Sequence, residues 1–380
     1  MMGTSAGHAK WQGLDGLRGT AILAVVVCHY SAWLPTTSEA AGALVIGWAG
    51  VDLFFVISGF LITGILLDAR GTPHYFRNFY ARRALRIFPL YFAFLAVVLL
   101  LLLTTQSSPQ LWRAQPWLWT YTANYWLPTQ STWDRWSEMM VPLWSLAVEE
   151  QFYLAWPLVV FAVSPRTLLR ICIGVIIAAL ALRLILTAAG VDWFALYMWT
   201  PTRADPLAAG ALVALLLRQP DGERRTRRLA GYAGPIALLL ILLTARGFDP
   251  TRHPWLRVML YSALAAFFAA LLVWSIDSAA LRGIPRRFYE LPVLRAIGGY
   301  SYGIYLLHLP LAYATAHALH HFNYLDPAHP TWSSALLLIT LSSTLVTLIA
   351  VASFHLYEKP FLNLKHRFPA GKGQRRERGV

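Results

Sequence analysis

The chain has 380 residues, of which 57% are hydrophobic and only 13% are charged. Soluble domains carry about twice that fraction of charge, so the composition excludes a soluble fold that covers its core with charged side chains. The formal net charge is +14. The basic residues cluster in short connectors between apolar runs, however, which is typical of membrane topology and argues against a nucleic-acid partner.

Apolar runs long enough to cross a bilayer recur along the whole chain. They predict an all-α integral membrane protein, a bundle of about ten transmembrane helices. The predicted spans are 19–34, 51–68, 87–104, 142–163, 170–189, 201–217, 229–245, 257–275, 299–316 and 333–354. A cleavage-like Ala41-Gly42-Ala43 follows the first run, but that run contains His29, so we expect it to remain as the first span.

Lysine and arginine are divided unequally between the two sets of connectors. With the N-terminus inside, 25 of the 32 basic residues fall on the inner side and 5 on the outer side, while Arg183 and Arg203 lie within spans. This excess of inner positive charge predicts that both termini are cytoplasmic. Residues 1–368 are predicted to form one membrane domain, and residues 369–380 a disordered basic tail beside the anionic inner leaflet.

Ionisable groups lie just before the first span and within it. Residues 14–19 (LDGLRG) open it with Asp15 and Arg18, and His29 follows eleven residues after Arg18. At about 1.5 Å per residue, His29 lies about 16 Å deeper in the membrane than Arg18. A lone histidine at this depth is often only a packing residue, but other ionisable groups reach a similar depth here, which favours a functional site.

Basic residues also follow the second span. Arg83 and Arg86 share a helical face at a spacing of three, directly after Arg82. With Arg18 and Lys359 they are predicted to form a cationic mouth on the inner side, where guanidinium groups would suit phosphate. The alternative is that these residues only set the topology, which is our interpretation of most other inner basic residues.

The longest outer connector, residues 105–141, is rich in aromatic side chains. These are Trp112, Trp117, Trp119, Tyr121, Tyr125, Trp126, Trp133 and Trp136. Such residues line membrane interfaces, and their apolar faces also stack on the C–H faces of sugar rings. The connector is therefore interpreted either as an interfacial segment or as a platform for a carbohydrate.

The fourth span contains two adjacent carboxylates, Glu149 and Glu150, several residues below its outer edge. Adjacent residues on a helix point about 100° apart, so both cannot face one narrow pocket equally. Ser145 shares a face with Glu149 at a spacing of four. A carboxylate at this depth needs either a proton or a close cationic partner.

Further charged groups lie within or at the ends of other spans. Asp52 is near the outer end of the second span, Arg183 is in the fifth, and Arg203 and Asp205 are at the outer end of the sixth. Charges at this depth are costly and usually mark a site or a pathway. The alternative is that they form internal ion pairs that only hold the bundle together.

A series of short motifs, in one order along nearly the whole chain, matches a known pattern. They are residues 14–19 (LDGLRG) followed by His29, 50–60 (GVDLFFVISGF), 82–89 (RRALRIFP), 144–153 (WSLAVEEQFY), 203–205 (RAD), 301–308 (SYGIYLLH) and 358–361 (EKPF). In this combination the chain resembles the acyltransferase family 3 membrane proteins, which O-acylate surface polysaccharides, peptidoglycan, glycolipids and some antibiotics.

The resemblance implies roles for individual residues. His29 matches the essential catalytic histidine of that family, and Arg18, Arg83 and Arg86 match arginines implicated in handling acyl-CoA. Lys359 is added to the acyl-CoA-binding set as part of the cationic mouth. Further motif residues are predicted to bind the acceptor or to support the site: Asp15, Trp144, Ser145, Glu150, Arg203, Asp205, Tyr302 and His308.

Among the carboxylates, the resemblance favours Glu149 over Glu150. Glu149 is the first candidate, and Asp52 the second, for the group that orients the imidazole of His29 or relays its proton. In the family, a small or aliphatic residue usually follows the Arg-x-Asp motif. This chain has Pro206 at that position, which affects the direction of the Asp205 side chain.

The predicted reaction transfers an acyl group, expected to be acetyl, from cytoplasmic acyl-CoA to a hydroxyl group at the bacterial cytoplasmic (inner) membrane. The acceptor is predicted to be an envelope glycan or glycolipid, with a small-molecule hydroxyl as the next choice. CoA phosphates would dock on the arginines while the pantetheine arm presents its thioester near His29. The histidine would act as general base or as transient acyl carrier, and the sequence leaves both open.

Acyl-CoA is a substrate in this interpretation, and no permanently bound cofactor is predicted. Cys28 and Cys172 both lie within apolar spans, so neither a disulfide nor a metal site is expected. One alternative function is a lipid or glycolipid transporter or flippase that uses intramembrane His and Glu for proton coupling. The other is a structural subunit in which polar residues join helices. Transporters often contain internal repeats, and the sequence has no such pattern.

Overall fold

The computed structural model describes residues 5–35, 44–105, 108–130, 134–246, 253–276, 288–326 and 329–369. Across these ranges the chain is helical and contains no strand, which confirms the all-α prediction. The Ala41-Gly42-Ala43 sequence and residues 370–380 of the predicted tail lie outside the described residues.

The helices are numbered in chain order. They are α1 (Ser5–Tyr30), α2 (Gly50–Ala69), α3 (Tyr75–Thr105), α4 (Pro109–Trp119), α5 (Ala123–Trp126), α6 (Arg135–Met140), α7 (Leu143–Ala162), α8 (Pro165–Ala188), α9 (Trp193–Met198), α10 (Ala204–Leu216), α11 (Gly222–Arg246), α12 (Pro254–Ile276), α13 (Pro292–Gly299), α14 (Ser301–His321), α15 (Trp332–Ser353) and α16 (Lys359–Asn363). A π-helical turn, Phe354–Glu358, joins α15 to α16.

Six helices in the described part of the chain are long and apolar enough to cross a membrane. They are Ile46–Ala69, Tyr75–Thr104, Pro165–Ala188, Gly222–Leu243, Pro254–Ile276 and Trp332–Arg367. The chain is thus a multi-pass membrane protein, although this count does not reach the predicted ten. The other four predicted spans fall on α1, α7, α10 and α14. Helix α10 has only 13 residues, and α7 and α14 interrupt their apolar sequences with carboxylates or histidines.

Helices α2 and α10 pack with their backbones almost in contact. A Cβ atom on Gly59 would lie 1.9 Å from the carbonyl oxygen of Leu207, and one on Gly210 would lie 2.0 Å from that of Val56. Only glycine allows two helices to approach this closely. The close packing makes α10 an interior helix, with most of its side chains buried.

The aromatic connector is docked on the bundle by a partly buried polar network. The amide of Gln151 on α7 donates to the Tyr121 carbonyl oxygen at 2.8 Å and to the Asn124 side-chain oxygen at 2.9 Å, and it accepts from the Thr200 hydroxyl at 2.5 Å. The side chains of Trp112, Trp117, Trp119 and Tyr125 are exposed. Exposure is compatible with both interpretations of the connector, and residues 131–133 lie outside the described ranges.

Candidate functional site

One cavity is built from a stripe of side chains on α2 and a second stripe on α7. The α2 residues are Val51, Phe54, Phe55, Ser58, Leu61 and Ile62. Their spacing of three and four residues is that of a single helical face, and it covers about 16 Å along the axis. The α7 residues are Ser145, Leu146, Glu149, Glu150 and Tyr153. The predicted shared face of Ser145 and Glu149 is therefore the face that lines the cavity.

Three arginines from two other helices line the same cavity. Arg18 comes from α1, and Arg83 and Arg86 come from α3. We call these three residues the arginine cluster. Together with Ile87, Ser301, Tyr302 and Tyr305 they complete a lining that encloses about 830 Å³, including the open space at the mouth.

Among the described residues, the arginine cluster has one acidic partner within 4 Å. Arg18 lies 3.5 Å from the carboxylate of Asp15, a residue of α1 that is partly exposed. The guanidinium of Arg83 packs over the ring of Phe79, with 5.9 Å to its centroid, and the buried Nε of Arg83 has no hydrogen-bond partner among the described residues. A buried donor without a partner is costly, so this position is suited to an anionic or hydrogen-bond-accepting ligand.

A chain of three hydrogen-bonding groups lies on the cavity wall. The Ser58 hydroxyl donates to Glu149 Oε1 at 2.6 Å, and the Tyr153 hydroxyl donates to Ser58 Oγ at 3.1 Å. Glu150 also lines the cavity. Both carboxylates therefore reach one cavity, because the cavity is wide enough to expose two adjacent positions of α7.

A second polar pair on the wall joins α7 to α14. The hydroxyl groups of Ser145 and Tyr305 lie 2.6 Å apart, and the Tyr305 hydroxyl is 3.1 Å from the carbonyl oxygen of Pro142. Tyr302, one turn earlier on α14, donates to the carbonyl oxygen of Ile87 at 2.8 Å. These bonds fix the position of α14 against α3 and α7.

His29 and His308 form a pair behind this wall. The Nδ1 atom of His29 lies 2.9 Å from Nε2 of His308, and the two ring centroids are 5.0 Å apart. His29 is half-buried, and His308 is completely buried. The cavity lining includes Tyr305, whose ring lies 5.8 Å from that of His308, but it does not include His29. Tyr305 thus stands between the cavity and the histidine pair.

Two ion pairs lie away from the cavity, one between Asp52 and Arg203 and one between Asp205 and Arg183. Asp52 on α2 lies 2.6 Å from Arg203, and both side chains have no exposed surface. Asp205 on α10 is bound by both terminal nitrogens of Arg183 on α8, each at 2.8 Å. Asp52 is the second candidate for orienting the imidazole of His29 or relaying its proton, and its carboxylate is held by Arg203. Asp52 lies about 100° around α2 from Val51, on the side away from Phe54, and is not part of the cavity lining.

Lys359 and Trp144 also lie outside the cavity lining. Lys359 is exposed at the start of α16, so it does not stand with the arginine cluster. Trp144 is buried, and its ring packs against those of Phe55 and Tyr197, with centroid distances of 5.9 and 4.6 Å. The described residues contain no group of three or more His, Cys, Asp or Glu arranged to hold a metal ion.

Sequence reasoning did not single out Ser58, Tyr153 and Tyr305. All three lie inside the quoted motifs, and two of them follow or precede a predicted site residue at helical spacing. Tyr153 is four residues after Glu149, and Tyr305 is three residues before His308. That spacing was the available signal, because residues three or four apart share a face.

The comparisons with known proteins agree on one family. A sequence model described as an acyltransferase domain (Acyl_transf_3) matches residues 11–354. The peptidoglycan O-acetyltransferase OatA of Listeria monocytogenes is 33% identical over 325 residues, which is 80% of this chain and 50% of that protein.

Two further curated relatives also carry O-acetyltransferase in their names. The putative peptidoglycan O-acetyltransferase YrhL of Bacillus subtilis is 29% identical over 372 residues, covering 93% of this chain and 55% of that protein. The O-acetyltransferase OatA of Staphylococcus aureus is 29% identical over 324 residues, covering 79% of this chain and 50% of that protein. The chain spans about half the length of the curated relatives it matches. No solved structure matches the chain.

Proposed function

Because this chain belongs to the acyltransferase domain family, acyltransferase family 3, we propose that it is a membrane enzyme that transfers an acyl group from acyl-CoA to a hydroxyl group of an envelope glycan. Acetyl is the expected acyl group, since the relatives are named as O-acetyltransferases. Peptidoglycan is the first acceptor to test, because two of those relatives carry it in their names.

One observation carries the proposal: three arginines share a cavity with hydroxyl and carboxylate groups. Arg18, Arg83 and Arg86 line the cavity together with Ser58 and Glu149. Acyl-CoA has a highly anionic nucleotide end and a slender uncharged arm that carries the thioester. Guanidinium groups bind phosphate oxygens through two parallel hydrogen bonds, so the arginine cluster is suited to the nucleotide end.

The orientation of the bundle fits a donor made in the cytoplasm. The arginine cluster lies on the side that carries most of the basic connectors, and this side is expected to be cytoplasmic. Arg18 and His29 lie on the same continuous helix, α1, about 16 Å apart along its axis. The pantetheine arm would extend from the arginine cluster past Tyr305, and only the acyl group would continue toward the acceptor side.

The chemistry assigned to His29 is proton transfer or brief acyl transfer. As general base, its ring takes the proton of the acceptor hydroxyl while the oxygen attacks the thioester carbonyl. The carbon–sulfur bond then breaks, and the departing CoA sulfur receives that proton. As acyl carrier, the ring nitrogen attacks the thioester carbonyl, the carbon–sulfur bond breaks and the CoA thiolate leaves. The acceptor oxygen then attacks the acyl group on the ring, the carbon–nitrogen bond breaks, and the hydroxyl proton passes to the thiolate.

Purified protein should transfer labelled acetyl from acetyl-CoA to a peptidoglycan fragment in detergent. His29→Ala should lower the turnover rate by a factor on the order of 10³, because the reacting nitrogen is lost. His317→Ala is the matched control, since His317 is an exposed histidine on α14 and should leave the rate unchanged. Full transfer by His29→Ala would reject the mechanism. Wild-type protein that moves acetyl only across sealed vesicles, never to an added acceptor, would indicate a transporter.

The arginine cluster is tested by the double variant Arg83→Ala, Arg86→Ala. We expect the KM for acetyl-CoA to rise by about 10²-fold, because two charge-assisted contacts to phosphate are lost, while the KM for the acceptor stays close to that of the wild type. Arg225→Ala with Arg228→Ala is the control, because both arginines are exposed on α11. An unchanged KM for acetyl-CoA in the cavity variant would remove the arginine cluster from the donor site.

A further inference from the structure

The two histidines differ in the access that they have to a substrate. His308 on α14 has no exposed surface, whereas His29 at the end of α1 is half-buried. Their contact is Nδ1 of His29 to Nε2 of His308 at 2.9 Å. His29 is therefore the ring that can meet a reacting group, and His308 is the ring behind it.

The backbone determines which nitrogen of His308 carries a proton. Nδ1 of His308 lies 2.6 Å from the carbonyl oxygen of Tyr305, one helical turn earlier. A carbonyl oxygen can only accept a hydrogen bond, so this bond requires a proton on Nδ1 of His308.

The surroundings of His308 favour a neutral ring. The side chain is completely buried, and no carboxylate lies within 4 Å of it in the described part of the chain. Burying an imidazolium without a counter-charge is costly. With Nδ1 protonated and the ring neutral, Nε2 of His308 has a lone pair and accepts a hydrogen bond.

This assignment fixes the tautomer of His29. Because Nε2 of His308 accepts, Nδ1 of His29 must donate, and a neutral His29 then has its lone pair on Nε2. The ring of His308 is also confined on two sides, with centroid distances of 6.4 Å to Tyr30 and 5.8 Å to Tyr305. The Tyr30 hydroxyl donates to the His308 carbonyl oxygen at 3.1 Å, which joins the end of α1 to α14.

We propose that His308 is a positioning residue that holds His29 in the Nδ1–H tautomer and thereby makes Nε2 the reacting atom. The inference rests on the proposed acyl transfer, but it holds for either role of His29, because a general base and an acyl carrier both use the free lone pair. When Nε2 takes the hydroxyl proton, the imidazolium keeps its Nδ1–H bond to His308 until the proton passes to the CoA sulfur. His308 itself gains and loses no proton.

The direct test is nitrogen NMR of the protein with ¹⁵N-labelled histidine in detergent, with the His29 signals identified by their absence in His29→Ala. We expect Nδ1 of His29 to carry the proton and Nε2 to be unprotonated near neutral pH. A protonated Nε2 with a bare Nδ1 would overturn the inference whether or not the protein transfers acetyl. If the wild type gives the expected tautomer but no transfer to any acceptor, the proposed function fails while the tautomer assignment stands.

Variants of His308 test the inference by steady-state kinetics. His308→Leu removes the acceptor for Nδ1 of His29 and should lower kcat by about 10²-fold with little change in the KM for acetyl-CoA. His308→Gln offers an amide oxygen at a similar position and should restore activity to within about 10-fold of the wild type. His317→Ala should behave as the wild type.

The outcomes separate positioning from a purely structural role. Equal kcat values for His308→Leu and the wild type, in a protein that transfers acetyl, would overturn the inference. An equal loss in His308→Leu and His308→Gln, with the His29 tautomer unchanged in both, would also overturn it. If His308→Leu unfolds in detergent, the wild-type spectrum and His308→Gln still decide the question.

Discussion

Two neighbouring carboxylates on α7 line the same cavity but differ in their contacts. Glu149 accepts a hydrogen bond from Ser58 at 2.6 Å, and Ser58 accepts one from Tyr153 at 3.1 Å. Glu150 shares the lining, and among the residues that the structure describes no comparable chain of hydroxyl groups leads to it. A proton relay needs an aligned series of donors and acceptors, so Glu149 is the first of the two carboxylates to test.

Glu149→Gln keeps the shape of the side chain and removes its charge and its ability to take a proton. We expect kcat for acetyl transfer to fall by about 10²-fold, which is the usual contribution of a proton-transfer group. Because the amide oxygen can still accept from Ser58, the melting temperature should change little. Steady-state rates and thermal unfolding of the purified variant provide the two measurements.

Glu223→Gln is the control for Glu149→Gln, because Glu223 is an exposed residue of α11 with 74% of its side chain accessible. This change should alter neither rate nor stability. Wild-type kcat in Glu149→Gln would show that this carboxylate relays no proton and would leave the hydrogen-bond chain with a structural role only.

At the scale of elements, buried ion pairs join α10 to its neighbours. The Asp52–Arg203 pair connects α2 to the start of α10, and the Arg183–Asp205 pair connects α8 to α10. The guanidinium of Arg203 also packs over the rings of Tyr197 and Tyr261, at 5.1 and 4.6 Å from their centroids. These contacts support the alternative interpretation of the charged groups as internal ion pairs.

Asp52→Asn should destabilise the protein by about 3–5 kcal/mol, because it leaves Arg203 buried without its counter-charge. The double variant Asp52→Leu, Arg203→Leu removes both charges and should be more stable than Asp52→Asn. Unfolding in detergent, followed by temperature or denaturant, measures both.

The chain offers a matched control on the same helix. Asp68 on α2 pairs with Arg218 at 2.9 Å, but 54% and 38% of these two side chains are exposed. Asp68→Asn should therefore cost no more than about 1 kcal/mol. If Asp52→Asn is instead as stable as the wild type but inactive, the ion pair does not stabilise the fold. That outcome would support the predicted catalytic role of Asp52.

At the scale of the whole molecule, the outer surface of the bundle is apolar. Exposed side chains such as Leu100, Ile177, Ile185 and Leu348 lie on the long helices that can span a membrane. Their exposure has a physical reason, since lipid replaces water around these positions. The polar groups are collected inside, around the cavity and the ion pairs.

The orientation of this bundle can be measured with reporters. Green fluorescent protein fused after residue 380 should fluoresce, and alkaline phosphatase fused there should be inactive, because the excess of inner basic residues keeps that end in the cytoplasm. Fusions after Gln130, in the outer connector, should give the opposite results. Active phosphatase at residue 380 would reverse the predicted orientation and with it the side from which acyl-CoA reaches the arginine cluster.

Much of this architecture could be predicted from the sequence. Apolar runs gave the all-α membrane fold, and six of the predicted spans coincide with helices that are long and apolar enough to cross a membrane. Among the remaining predicted spans, α10 is short and interior, and α7 and α14 carry carboxylates or histidines that lower their mean hydropathy. The order of short motifs identified the family, which the domain match over residues 11–354 confirms.

Helical periodicity also predicted which site residues share a helical face. The spacing of Ser145 and Glu149, and of Arg83 and Arg86, placed each pair on one face, and all four line the cavity. Such predictions succeed because residues three or four apart on a helix are neighbours whatever surrounds them.

The partners of the key charged groups were decided only by the tertiary structure. His29 meets His308 from a position 279 residues away, and Asp52 meets Arg203 across 151 residues. The sequence by itself determined which residues are buried, charged and on one face, because these follow from composition and helical period. Which face turns toward which neighbour depends on how the helices rotate and pack against one another, and no local pattern in the chain specifies that rotation.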